Sequence, residues 1–142
     1  MTLPAPLAEL VDDFADVTPK ERLQLLLELS EELPALPERY ADAADTMEQV
    51  HECQSPLFLA VEVEHGRVHL HATAPAESPT TRGFASILVQ GLDGLSIDEV
   101  LDVPADYPQS LGLSEAVSPL RVRGMTGMLA RVKRQVRARI AA

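Results

Sequence analysis

Two runs of apolar–polar alternation either side of a two-residue turn constrain this chain more than any other feature. Residues 57–64 read LFLAVEVE, residues 67–74 read RVHLHATA, and His65-Gly66 lies between them. Val61 and Val63 alternate with Glu62 and Glu64; Val68 and Leu70 alternate with His69 and His71. Successive strand side chains point to opposite faces, so the pattern predicts a β-hairpin with one apolar face. The stretch from Val50 to Glu52 is the candidate for a third strand.

Helical spacing dominates the rest. Leu7, Leu10, Val11 and Phe14 recur on one face of a helix predicted from Pro6 to Val17. Thr18-Pro19-Lys20-Glu21 carries an N-cap, a proline for the first helical position and a glutamate placed for a capping box. The second helix runs from there to about Leu33. Residues 34–50 are acidic and broken by proline, and read as a loop with one helical turn. Asp42, Asp45 and Glu48 read as part of a solvated face. A buried helix is expected over Thr80 to Gly91, and a short capped one from Ser96. Residues 102–117 read as loop, with a turn at Tyr107 to Leu111. Ser118-Pro119 opens a last helix whose stripe holds Met125, Met128, Leu129, Val132, Val136 and Ile140. Gly124 and Gly127 each cost that helix about 1 kcal/mol against alanine, which points to close packing or a delayed start. The fold class is α+β: a small antiparallel sheet of about three strands packed against N- and C-terminal helices. At 142 residues the chain is expected to form a single domain over 1–142.

Charge narrows the function classes. The chain holds 22 acids and 12 bases. Seven of the bases follow Leu120, where no acid occurs, leaving five bases against 22 acids before it. A basic arm for nucleic acid is disfavoured, because the acidic body repels phosphate and aromatic residues are only 4% of the chain. The basic helix is instead expected to lie partly on the protein's own acidic surface. No apolar run approaches the ~18 residues of a membrane span, and the N-terminus lacks the basic start of a signal peptide. A cytoplasmic location is expected.

The chain has one cysteine, Cys53. A lone cysteine is ordinarily a small buried hydrophobe. The neighbours of Cys53, in His51-Glu52-Cys53-Gln54-Ser55-Pro56, are polar and end in proline, which reads as a loop. With no second cysteine, a sulfur taken up there passes to another molecule. His51 is a candidate base or cation beside it, since the two share a face if the segment is extended. Together with His69 and His71, which share a strand face, they form a candidate zinc or iron ligand set.

Four segments together resemble the SufE family of sulfur acceptors. They are Leu33-Pro34-Ala35-Leu36 after two helices, Cys53-Gln54-Ser55 before an apolar strand, Arg82-Gly83 opening a helix, and Pro119-Leu-Arg121-Val-Arg123-Gly124 at the start of the last helix. The resemblance implies a SufE/IscU-like fold and a single SufE-like domain. It implies that Cys53 takes persulfide sulfur from a pyridoxal-phosphate cysteine desulfurase of the SufS type. The sulfur then passes to an iron–sulfur scaffold of the SufB type. The protein would act as a sulfur carrier and desulfurase activator rather than a stand-alone enzyme, with no cofactor or metal of its own. It also leaves room for a homodimer. Arg121 matches a family arginine near the cysteine loop and is expected to stabilise its charge; His51, Gln54, Ser55 and Glu77 are expected to support the loop. Two other readings stand beside this: a non-catalytic desulfurase-binding adaptor, and a metal-binding protein using His51, Cys53, His69 and His71. One departure is Glu52, where the family commonly has glycine; a carboxylate there raises the thiol pKa, and Glu52 is expected to address a basic partner surface. Another is Pro56, which removes a backbone donor at the start of the strand.

Overall fold

In the computed structural model, which describes residues 3–53 and 55–141, the alternating segments form the predicted hairpin. Strands β2 (Phe58–Glu64) and β3 (Arg67–Thr73) pair antiparallel with Glu64 opposite Arg67. His65 and Gly66 both take positive φ, 53° and 75°, the geometry of the turn whose twist suits two strands. The third strand, β1, is Glu48–Gln49, pairing with Leu59 and Phe58 to give the order β1-β2-β3. It lies before the Val50–Glu52 stretch expected for it. The Val50 amide still donates to the Leu57 carbonyl at 2.8 Å, but His51 and Glu52 then turn away.

Leu59, Val61, Val68, Leu70 and Ala72 make the buried face of the sheet. Helix α4 (Pro79–Leu92) packs on β3 and helix α6 (Pro119–Ala141) on β2. Helices α1 (Ala5–Ala15) and α2 (Pro19–Glu31) reach the same core through α4. Gly83 makes the α2–α4 approach close: a Cβ there would lie 2.6 Å from both the side chain and the carbonyl oxygen of Leu26. Helix α1 ends before Val17 because Thr18 is already the extended N-cap of α2, and its capping box with Glu21 is complete. Ser96 and Glu99 close a second box on α5 (Ile97–Asp102); α3 is the single turn Ala43–Thr46. The turn at Tyr107–Leu111 is 3-10 helix, followed by another at Leu113–Glu115.

The outer face of the sheet is covered too. Residues 34–47 fold over it, and Tyr40 and Met47 pack on Ala60, Phe58 and Leu36. An ionic staple holds the cover down. Arg39 grips Glu62 at 2.6 and 2.8 Å, the Tyr40 hydroxyl donates to it at 2.8 Å, and His71 Nε2 lies 3.1 Å from it. The basic helix lies on acidic surface as its charge requires: Arg131 and Arg134 both reach Glu48. Glu48 is therefore no solvated carboxylate but a buried-side anchor, also held by Gln135 at 2.8 Å. Where β1 stops, α6 takes over the edge of β2: Gln135 accepts from the Val61 amide, and Arg139 donates to its carbonyl.

Candidate functional site at the tip of a hairpin

β1 and β2 form a second hairpin, and Cys53 sits in the loop at its tip. The base of that loop is anchored by Val50 and Leu57, both fully buried. The tip is polar: His51, Glu52 and Pro56 are exposed, while Cys53 and Ser55 are half-buried. Residues 51–53 form a turn closed by the Cys53 amide on the Val50 carbonyl, 3.3 Å. The segment is therefore not extended, and the shared face expected for His51 and Cys53 does not arise. Gln54 lies outside the described residues.

The tip rests on the first turns of α6, whose start is capped by Ser118. Cys53 Sγ donates to the Gly124 carbonyl oxygen at 3.7 Å. The two glycines that weaken the helix are its seat. A Cβ at Gly124 would lie 3.4 Å from Sγ, and one at Gly127 would lie 2.8–2.9 Å from Glu52 atoms. The helix starts at Pro119, so neither glycine marks a delayed start; close packing accounts for Gly127, while at Gly124 a Cβ would meet the loop at ordinary contact distance. Beside the sulfur opens a cleft of about 200 Å³ lined by Glu52, Cys53, Ser55, Thr81, Phe84, Leu120, Arg121 and Gly124. Leu120 is one of two exposed large apolar side chains among the described residues.

Electrostatics keep the thiol protonated in this position. Burial is the main cause, the Glu52 carboxylate adds to it, and Arg131 opposes both; the net effect pushes the pKa up to about 11. The cation acting on the sulfur is thus Arg131, which went unremarked in the sequence, while Arg121 lines the cleft. Glu52 faces a base of the same chain and not a partner's: Arg131 of α6 binds it through Nη2 at 2.6 Å and Nε at 2.9 and 3.1 Å. Those bonds hold the Glu52 carboxyl below the usual carboxylate range. Glu77 lies in an exposed turn ahead of α4, away from the cleft lining. Arg82 donates to the Ala74 carbonyl at 2.7 Å, tying α4 to the end of β3.

The histidines do not join the cysteine. His69 lies 3.5 Å from Asp93, and His71 is engaged with Glu62 beneath Tyr40, 5.3 Å between ring centroids. Among the described residues, no group of three or more His, Cys, Asp or Glu side chains is placed to hold a metal ion. The four-ligand reading of His51, Cys53, His69 and His71 therefore has no geometry behind it.

An α+β domain whose one cysteine caps a cleft at a hairpin tip defines the class, and comparison with known proteins gives the family. The sequence model described as "Fe-S metabolism associated domain", SufE, matches residues 8–136, and the chain belongs to that family. An uncharacterised SufE-like protein of Mycobacterium tuberculosis is 58% identical over 137 residues, covering 96% of this chain and 94% of that one. A SufE-like protein of Synechocystis is 31% identical, covering 87% and 75%. The solution structure of a hypothetical protein from Thermus thermophilus superposes with a TM-score of 0.86 at 36% identity, covering 99% and 100%. The family ties the chain to iron–sulfur metabolism. Among the described residues no helix is long and apolar enough to cross a membrane.

Proposed function

We propose that the protein is a sulfur acceptor. It takes persulfide sulfur from a pyridoxal-phosphate cysteine desulfurase of the SufS type onto Cys53, passes it to a SufB-type scaffold, and thereby stimulates the desulfurase. The carrying observation is the lone thiol of Cys53, held half-buried at a hairpin tip over the cleft it shares with Arg121. The step balances with no outside oxidant. Cys53 sulfur attacks the terminal sulfur of the donor persulfide. One S–S bond forms, the donor's S–S bond breaks, and the departing thiolate takes the proton Cys53 gives up. A persulfide anion in the cleft shares it with Arg121, a lining residue of the first turn of α6, where positive charge suits it. A reducing compartment, the cytoplasm, keeps such a lone thiol available.

The test is mass spectrometry after incubation with desulfurase and cysteine. Wild type should gain one sulfur atom, and Cys53→Ser none. No adduct on wild type, or an equal one on Cys53→Ser, overturns the proposal. Undiminished stimulation of the desulfurase by Cys53→Ser would mark a non-catalytic adaptor instead.

A further inference from the structure

We propose that Glu52 and Arg131 form an electrostatic latch that holds the Cys53 loop shut on α6 and sets how readily the sulfur is presented. The inference deepens the sulfur-acceptor reading and rests on it; both residues are positioning residues, acting through the loop. The loop's base is fixed, with Val50 and Leu57 fully buried and joined by a backbone hydrogen bond. Among the described residues, its tip has few other ties to α6. The thiol-to-carbonyl contact of Cys53 with Gly124 spans 3.7 Å, and a thiol is a weak donor. The strong tie is the two-pronged grip of Arg131 on Glu52.

Three features show that this grip is built. Glu48 binds Arg131 from the other side at 2.5 Å. Glu48 is itself held by Gln135 and Arg134, so the guanidinium is oriented before it meets Glu52. Gly127 then leaves the hollow in α6 that the Glu52 side chain fills, at a cost to the helix that only the fit explains. The ion pair also remains within reach of solvent, with side chains 22% and 41% exposed, so it can open without disturbing the core. A shut latch keeps the sulfur protonated and half-covered; an open one releases the tip about its two apolar anchors.

Alkylation of Cys53 by iodoacetamide tests this, because the chain has no other thiol to report. Gly127→Ala changes no charge and favours the helix, yet its methyl group displaces Glu52. Arg131→Gln removes the cation that eases thiol ionisation, so with the loop still shut it should slow the reaction. The latch predicts the opposite. Both variants should react roughly fivefold faster than wild type, with the apparent thiol pKa from the pH profile moving down. Rates within about twofold of wild type, or slower, in folded Gly127→Ala overturn the latch. That variant decides the matter if Arg131→Gln does not fold. No desulfurase enters the assay, so a failed latch and a failed sulfur transfer are read separately.

Discussion

Cys53 Sγ lies 3.7 Å from the carbonyl oxygen of Gly124, and a Cβ at 124 would already touch it at 3.4 Å, which leaves no room for a larger side chain. Leucine is a good helix former, so Gly124→Leu leaves α6 intact while filling the seat of the sulfur. The loop should lift, and the thiol should lose the burial that raises its pKa. The alkylation rate near neutral pH is expected to rise by about tenfold or more. An unchanged pH profile would show that the sulfur does not depend on this seat.

The protonated thiol has a consequence for stability at high pH. Its folded pKa, about 11, lies above that of the unfolded thiol, about 8.5. The folded state therefore holds the proton more tightly. The resulting stability is fully present below about pH 8.5 and is lost as pH rises through about 11. Urea unfolding of wild type and Cys53→Ala from pH 7 to 11 checks this. Wild type should lose as much as about 2 kcal/mol relative to the variant over that window, and parallel curves would refute it.

Gly83 offers a test of the helical core. A Cβ there meets the Leu26 carbonyl oxygen at 2.6 Å as well as its side chain, and the backbone atom has no easy retreat. Alanine gains about 1 kcal/mol of helix propensity. Forcing α2 and α4 apart costs about 1–3 kcal/mol. The net expectation is a lower urea midpoint for Gly83→Ala than for wild type, and an equal or higher midpoint would show that the two helices yield to the added methyl.

These residues also show what a single sequence can disclose. Thr18 with Glu21, Ser96 with Glu99, and His65-Gly66 each act within a few residues, so their pattern is local and was readable in advance. The two glycines of α6 were readable as packing signals, but not what they pack against. The Glu52–Arg131 and Glu48–Arg131 pairs join positions 79 and 83 residues apart. No period or motif marks such a partner, since it is chosen by how β1 and α6 meet. The cover formed by residues 34–47 was hidden for a related reason. Its apolar members, Leu36, Tyr40 and Met47, are too few and too broken up by Pro34 and Pro37 to read as an element, and look like loop until the outer face of the sheet is present to bury them.

Glu62 gives that cover its own pH dependence. The grip of Arg39 is the main cause that draws the Glu62 carboxyl down to about 2; burial opposes it, and Tyr40 and His71 assist. A folded pKa below the unfolded value, about 4.3, means stability that is present above about pH 4.3 and fades as pH falls through about 2. Glu62→Gln keeps the shape and removes the charge. At pH 6 wild type should unfold at a higher urea concentration than Glu62→Gln, and the gap should narrow below pH 4.3 and close near pH 2. Because Arg39 is well exposed, 1 M NaCl should shrink the gap at pH 6 as well. A gap that persists at pH 2 would mean that Glu62 holds the cover by shape and not by charge.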